Sequence, residues 1–164
     1  MNFLEIWIGV VLAVTWKLVT VNGETTFSVT TVYEDNTCTG VPSLLTFAPD
    51  AGCQVPTDNQ DQCQSTGNSL FAVSSCTTDY EGFVATAFGD TNPYMIHRYY
   101  SATGCNNVGY VYAYSADGYC HMYPDTSSGF GSFRARIDVN GAIGFVWFLD
   151  LACTNGKGVR ILHE

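Results

Sequence analysis

The chain has 164 residues, which is enough for one domain, and it carries a formal net charge of −9 at pH 7. With only six lysines and arginines, it is not expected to bind nucleic acid by neutralising phosphates. The same negative charge disfavours association with an anionic membrane surface.

The N-terminal stretch differs from the rest of the chain. Ile6–Val14 is an almost uninterrupted apolar run, too short for a membrane span of roughly 20 residues but of the length found in signal-peptide cores. Val21 and Gly23 are small enough for the cleavage positions. We therefore predict a signal peptide over residues 1–23 and a single secreted cysteine-rich β domain over residues 24–164. Glu5 stands where a positive charge is usual, so an uncleaved N-terminal anchor is the alternative.

All seven cysteines follow the predicted cleavage site: Cys38, Cys53, Cys63, Cys76, Cys105, Cys120 and Cys153. Dispersed cysteines after a signal peptide are typical of a disulfide framework formed in an oxidising compartment. We predict three intramolecular disulfides of undetermined connectivity and one odd cysteine, which is either buried and inert or bonded to another chain. No metal site and no cofactor are predicted, because no Cys-x-x-Cys pair occurs.

The order of β-branched, aromatic and turn residues predicts an all-β fold. Short strands at this spacing favour a disulfide-stapled antiparallel β-sandwich, with a β-barrel as the alternative. Asp50–Asn68 is predicted to be a loop pinned by disulfides. The predicted strands are Thr26–Tyr33, Leu44–Phe47, Leu70–Ser75, Phe83–Phe88, Met95–Tyr100, Tyr110–Ser115, Tyr119–Tyr123, Ser132–Val139, Ala142–Leu149 and Gly158–Leu162.

A first hairpin is predicted at Asp117-Gly118, a favoured type I′ turn pair. Two-residue closure would place six residues on one side of that hairpin. This tyrosine face comprises Tyr110, Tyr112, Tyr114, Tyr119, His121 and Tyr123. It is either a core layer whose hydroxyl groups reach its edges, or an exposed platform that binds sugar rings or a protein.

A second hairpin is predicted at Asn140-Gly141, where two-residue closure pairs Ile137 with Gly144. The side of this hairpin that carries Ile137 is wholly apolar and is expected to be core. The opposite side, here called the arginine face, comprises Arg134, Arg136, Phe145 and Trp147. Each cation–π contact there would contribute about 0.5–1 kcal/mol, and the mixed composition suits a surface covered by a loop or by another molecule.

Catalysis receives little support from the sequence. No Gly-x-Ser-x-Gly nucleophile elbow occurs, and only three histidines are present to act as a base. Paired carboxylates hydrolyse glycosidic bonds, but no pair stands out among the acids Asp79, Glu81, Asp90, Asp117 and Asp150. We therefore assign no catalytic residue, and a small secreted hydrolase remains an alternative.

Two short stretches carry a resemblance to a known family. Val32–Ser43 contains an aromatic–acidic run followed by a cysteine and a proline, and Asp117–Cys120 contains a second matching stretch. In these features the chain resembles the small secreted cysteine-rich modules of oomycetes, which also occur as ectodomains of membrane kinases. The resemblance covers about the first half of the predicted domain. It implies an extracellular binding or structural module with no established catalytic residues.

The sequence thus predicts a non-enzymatic extracellular structural or interaction protein. Residues 24–33 alternate in polarity and would add to the edge of a neighbouring copy's sheet, which gives a homo-oligomer or a filament. The alternative is a carbohydrate-binding module or secreted effector that uses the tyrosine face. The expected partners are therefore copies of the chain, or an extracellular glycan or protein, with no nucleic acid and no membrane after signal cleavage.

Overall fold

The computed structural model describes residues 25–54, 62–101, 103–105 and 107–162. The predicted signal peptide lies outside these residues. The described elements are β1 Phe27–Tyr33, β2 Leu44–Pro49, β3 Gln64–Gly67, β4 Leu70–Thr77, α1 Tyr80–Phe88, β5 Tyr94–Tyr100, β6 Val108–Ser115, β7 His121–Met122, β8 Ser132–Ile137, β9 Ile143–Phe148 and β10 Gly156–Leu162. Within the described residues, no helix has the length and apolar character needed to cross a bilayer.

The strands form two antiparallel sheets, which confirms the predicted sandwich-like all-β fold. Sheet A has the order β3-β4-β1-β2-β6-β5, and sheet B has the order β10-β9-β8-β7. One side of sheet A packs against α1, where Phe47, Val84 and Phe88 are buried together. The other side packs against sheet B, where Leu44 and Phe133 share one core. Helix, sheet A and sheet B therefore form three layers with two cores between them.

The predicted strand Phe83–Phe88 is wrong, since α1 occupies this segment. Asp79 caps the helix, because its side chain accepts a hydrogen bond from the Gly82 backbone amide at 2.9 Å. Val84 and Phe88, one helical turn apart, are its buried side chains. The aromatic and β-branched residues favour a strand by propensity, but the cap and the packing on sheet A favour the helix.

The Asn140-Gly141 hairpin forms, but its register differs by one residue from the prediction. Ile137 pairs with Ile143 instead of Gly144. The Asp138 carboxylate accepts hydrogen bonds from the backbone amides of Asn140 and Ala142, both at 2.9 Å, and stabilises a loop that is one residue longer. The expectation that Ile137 is a core residue is also wrong, because this end of β8 extends beyond the core and Ile137 is 39% exposed.

The Asp117-Gly118 hairpin does not form. The turn carries the chain from sheet A to sheet B, so that β6 pairs with β2 and β5 while β7 pairs with β8. The Asp117 side chain accepts a hydrogen bond from the Tyr119 amide at 2.8 Å, and Gly118 donates its amide to the Ala135 carbonyl at 2.9 Å. These bonds hold the turn against β8 and keep β6 and β7 apart.

Three disulfides join distant parts of the described chain, and one cysteine is unpaired, as predicted. The pairs are Cys38–Cys63, Cys53–Cys76 and Cys120–Cys153, while Cys105 is free and exposed in the β5–β6 connection. Two of the bonds pin residues of the predicted Asp50–Asn68 loop, which also contains the unpredicted strand β3. Residues 55–61 of this loop lie outside the described part. Each disulfide contributes about 2–4 kcal/mol in the loop-entropy model.

Candidate functional site

The structure divides the predicted tyrosine face between core and solvent. Tyr110, Tyr112 and Tyr114 alternate along β6 and share the side of sheet A that faces sheet B. Tyr114 is buried at 2% exposure, Tyr112 is half-buried and Tyr110 is 55% exposed. One end of this strand therefore contributes to the core, and the other end is exposed.

The other three residues of the tyrosine face come from the chain after the Asp117-Gly118 turn. Tyr123 packs on Trp147, with 4.8 Å between the ring centroids, and lines a groove with Tyr110. Tyr119 is 73% exposed but belongs to the crossing between the sheets, and His121 is buried. The structure thus brings four of the six predicted residues to one side of sheet A.

Sheet B covers only one end of this side. The covered row of opposed residues is buried and consists of Ala72, Val32, Leu44, Tyr114 and Met95. Two further rows are half-buried or exposed. The inner row is Ser74, Thr30, Thr46, Tyr112 and His97, and the outer row is Cys76, Ser28, Ala48, Tyr110 and Tyr99. We call these ten residues the open face.

The β5–β6 end of the open face is aromatic. Tyr99 and Tyr110 lie directly opposite each other on the two strands and are 47% and 55% exposed. The Tyr99 ring meets the Tyr112 ring edge-on at 5.5 Å and lies 4.4 Å from the His97 ring. These contacts hold the Tyr99 ring between His97 and Tyr112, so a planar ligand would meet an aromatic surface at this end.

A groove of about 350 Å³ lies between the β6 tyrosines Tyr110 and Tyr112 and the segment Tyr123–Asp125. Burial raises the pKa of Tyr112, and the neighbouring Tyr99 raises it further. Burial likewise raises the pKa of Tyr123, to about 12. Both phenols therefore stay neutral at physiological pH and can donate as well as accept hydrogen bonds.

The β4–β1 end of the open face is polar. A second groove, of about 420 Å³, is lined by Ser28, Thr30 and Ser74 from the sheet and by the amides of Gln54, Gln62 and Gln64. The disulfide Cys53–Cys76 fastens its wall to β4. Among the described residues that line the two grooves, Asp125 is the only one with a charged side chain.

The predicted arginine face is not assembled. The one-residue shift in register turns Phe145 and Trp147 toward the core, where Phe145 is 6% exposed and both contact Tyr114. Arg134 lies on the opposite side of sheet B, with its guanidinium 5.7 Å from the Phe148 ring centroid, and Arg136 is exposed on that same side. The guanidinium groups and the two aromatic rings are therefore separated by the sheet.

A cluster of titratable groups closes the covered end of the sandwich. His121 Nε2 lies 3.0 Å from Asp117 Oδ1, and its Nδ1 lies 3.4 Å from Glu34 Oε1. Burial disfavours the imidazolium, but the hydrogen bonds and charges of both carboxylates outweigh this effect and raise the pKa of His121. Because both ring nitrogens face carboxylates, this histidine is poorly placed to take a proton from a substrate.

Four of the five acids considered in the sequence, Asp79, Glu81, Asp117 and Asp150, have local structural roles. Asp79 caps α1, and Glu81 pairs with Arg98 at 2.7 Å. Asp150 accepts hydrogen bonds from the Thr154, Ala152 and Asn155 amides, which lower its pKa to about 2. In the described part of the chain, no group of three or more histidines, cysteines and acids is arranged to hold a metal ion.

Several residues of the open face were not predicted. Tyr99 and His97 alternate on β5, and Thr30 and Thr46 oppose each other on β1 and β2. The alternation of His97 and Tyr99 is visible in the sequence. Their position beside Tyr110 and Tyr112 depends on strand order, which local patterns do not determine.

Comparisons with known proteins identify no relative. No family model matches the chain, and neither a curated protein nor a solved structure matches it. The resemblance to oomycete cysteine-rich modules therefore stays a prediction.

Proposed function

We propose that this chain is a non-enzymatic secreted binding module whose open face binds a neutral glycan. One observation carries the proposal: the exposed pair Tyr99 and Tyr110 lies in the same row of sheet A as the hydroxyl group of Ser28. Secretion is supported by the three disulfides, which are typical of oxidising compartments.

The open face offers aromatic rings and hydrogen-bonding hydroxyl groups, and a sugar can use both. A pyranose ring has an apolar face of C–H groups that packs on an aromatic ring, and it has hydroxyl groups at its rim that need donors and acceptors. The rings of Tyr99 and Tyr110 supply the first, while the hydroxyl of Thr46 and the phenol of Tyr112 supply the second. Apolar surface with a few placed polar groups is the usual composition of a ligand site.

The charge of the protein favours a neutral ligand. The net charge is −9, and the described lining of the two grooves contains no lysine or arginine. A polyanionic glycan would be repelled by the overall field and would find no cation at the site. A neutral chain avoids this repulsion.

Self-association through the N-terminal strand stays a prediction, but the fold does not favour it. Strand β1 lies between β2 and β4 and is hydrogen-bonded along both edges within its own chain. It would have to leave its own sheet before it could pair with a second copy. The open face needs no such rearrangement to accept a ligand.

The test uses protein recovered from cells that secrete the full chain, incubated with insoluble cellulose, chitin or β-1,3-glucan. We expect depletion from solution by one of these polysaccharides. Tyr110→Ala should weaken this binding about tenfold, the equivalent of a lost aromatic contact of about 1.4 kcal/mol. Tyr119→Ala is the matched control, because Tyr119 is more exposed but lies outside the open face.

The proposal fails if none of these neutral polysaccharides retains the protein, or if the two variants lose binding equally. Size-exclusion chromatography of the same samples tests the alternative occupant. If the wild-type protein forms oligomers that Tyr110→Ala dissociates, and no polysaccharide is bound, the open face binds a second copy of the chain instead.

A further inference from the structure

We infer that the ligand is a linear chain of about five sugar units that runs across the strands, from the tyrosines on β5 and β6 to the polar groove beside β4. This inference rests on the proposed function and extends it. The tyrosines alone would accommodate one or two sugar units. The polar groove is the second part of the site, and it lies on the same side of sheet A.

The two ends of the open face form one surface. Ser28 of β1 is directly opposite Ala48 of β2, and Thr30 is directly opposite Thr46. Ser28 and Thr30 line the polar groove, while Ala48 and Thr46 line the aromatic groove. Only one strand spacing therefore separates the grooves.

The outer row, which is the path of the inferred sugar chain, is low in its middle, between the tyrosines on β5 and β6 and the Cys53–Cys76 disulfide at β4. Its middle positions, Ala48 and Ser28, carry small side chains, and Tyr110 stands at one side of them. Toward sheet B, the path is bounded by the segment Tyr123–Asp125. A chain lying along this row would reach its lowest level over β2 and β1, beside the Tyr110 ring.

The length of the path sets the length of the ligand. Neighbouring strands are about 4.8 Å apart, which is close to the length of one pyranose unit in an extended chain, so the five strands from β5 to β4 span about five units. Successive units would then lie over successive strands. A chain running parallel to the strands would leave the open face after two rows.

The polar end suits sugar units that have no aromatic ring to pack on and are bound through their hydroxyl groups. Each glutamine amide both donates and accepts, so Gln54, Gln62 and Gln64 can bind neighbouring hydroxyls of a sugar ring. All three are exposed, and Gln64 lies on β3, where it pairs with Ala72 of β4. This end should therefore add affinity only for chains long enough to reach it.

The experiment measures affinity by calorimetry for soluble oligomers of two to six units, taken from the polysaccharide that retains the protein. For wild-type protein, affinity should rise with length and level off at about five units. Gln64→Ala should weaken binding of the five-unit chain severalfold and leave the two-unit chain unchanged. Tyr110→Ala should weaken both, and Asn140→Ala, in an exposed turn of sheet B, should change neither.

The outcomes separate this inference from the proposed function. If the two-unit chain binds as tightly as the five-unit chain, or if Gln64→Ala has no effect on any length, the extended path is wrong and the tyrosine site stands. If Gln64→Ala weakens every length equally, the path is also wrong. If no oligomer binds and no polysaccharide retains the protein, the proposed function itself fails.

Discussion

Glu34 Oε1 accepts a hydrogen bond from the Met122 backbone amide at 2.9 Å, which joins the end of β1 in sheet A to β7 in sheet B. The same oxygen lies 3.4 Å from Nδ1 of His121, whose Nε2 contacts Asp117. The two sheets are thus held together at this end by an imidazole between two carboxylates. This cluster makes the stability of the sandwich depend on pH.

We expect the contribution of His121 to stability to be largest between about pH 4.5 and 6.5. Burial opposes ionisation of His121, but the carboxylates raise its pKa in the folded protein above 6.5. Its stabilising contribution is therefore complete when the pH is below the pKa of the unfolded chain, and it is lost as the pH rises through the pKa of the folded protein. Burial opposes ionisation of Glu34 and Asp117, but their hydrogen bonds lower their pKa values below 4.5 and 3.8. Their contribution is therefore lost as pH falls through those lowered values.

Urea unfolding at pH 5.5 and pH 8.5 tests this expectation with the His121→Gln variant. The free-energy difference between wild type and variant should be larger at pH 5.5, where the imidazolium is charged. Titration of the wild-type imidazole by NMR gives a second readout and should have a midpoint above 6.5. A titration midpoint below 6.5, or an equal free-energy difference at both pH values, would contradict a stabilising role of the His121–Glu34–Asp117 cluster.

The burial pattern along β8 predicts different outcomes for two apolar residues of this strand. Phe133 is fully buried and contacts Tyr114, Phe145 and Trp147, so Phe133→Ala should lower the free energy of unfolding by about 3–5 kcal/mol. Ile137 is 39% exposed, so Ile137→Ala should cost less than about 1 kcal/mol.

Chemical denaturation of the wild type and the two variants measures these free energies of unfolding and tests the prediction. The wholly apolar side predicted from the sequence would instead make Ile137 a core residue. Equal losses of several kcal/mol in both variants would contradict the exposed position of Ile137 at the turn end of β8.

The fold class and the disulfide count could be predicted because both depend on local or compositional signals. Alternation places Val29 and Val32 on opposite sides of β1 wherever that strand lies in the sheet. The number of cysteines after an apolar N-terminal run limits the framework to three bonds with one thiol left over.

The registers and the helix could not be predicted because side-chain hydrogen bonds decide them. Asp138 accepts two amides and lengthens one turn, while Asp117 accepts the Tyr119 amide and directs the chain into the second sheet. Asp79 accepts the Gly82 amide and so caps the start of α1. In each case the sequence shows an aspartate near a turn, but the geometry that selects its partner comes from the assembled fold.

The aspartate at the start of α1 gives a third prediction. Asp79→Ala removes the side chain that accepts the Gly82 amide and should destabilise the protein by about 1 kcal/mol. Asp79→Asn keeps an accepting oxygen and should lose only a fraction of that. Thermal unfolding of both variants checks this expectation, and equal losses in the two would show that the cap is not the cause.

The last prediction concerns the unpaired cysteine, for which the sequence left two interpretations. Cys105 is exposed in the connection between β5 and β6, so the interpretation of a buried, inert thiol is wrong. We expect native secreted protein to take up one iodoacetamide per chain without reduction, and we expect Cys105→Ser to take up none. Peptide mapping by mass spectrometry should place the label at Cys105. Two or more labels would contradict the three-disulfide framework. An unlabelled wild type that runs as a dimer on a non-reducing gel, and as a monomer after Cys105→Ser, would show instead that this thiol bonds to a second chain.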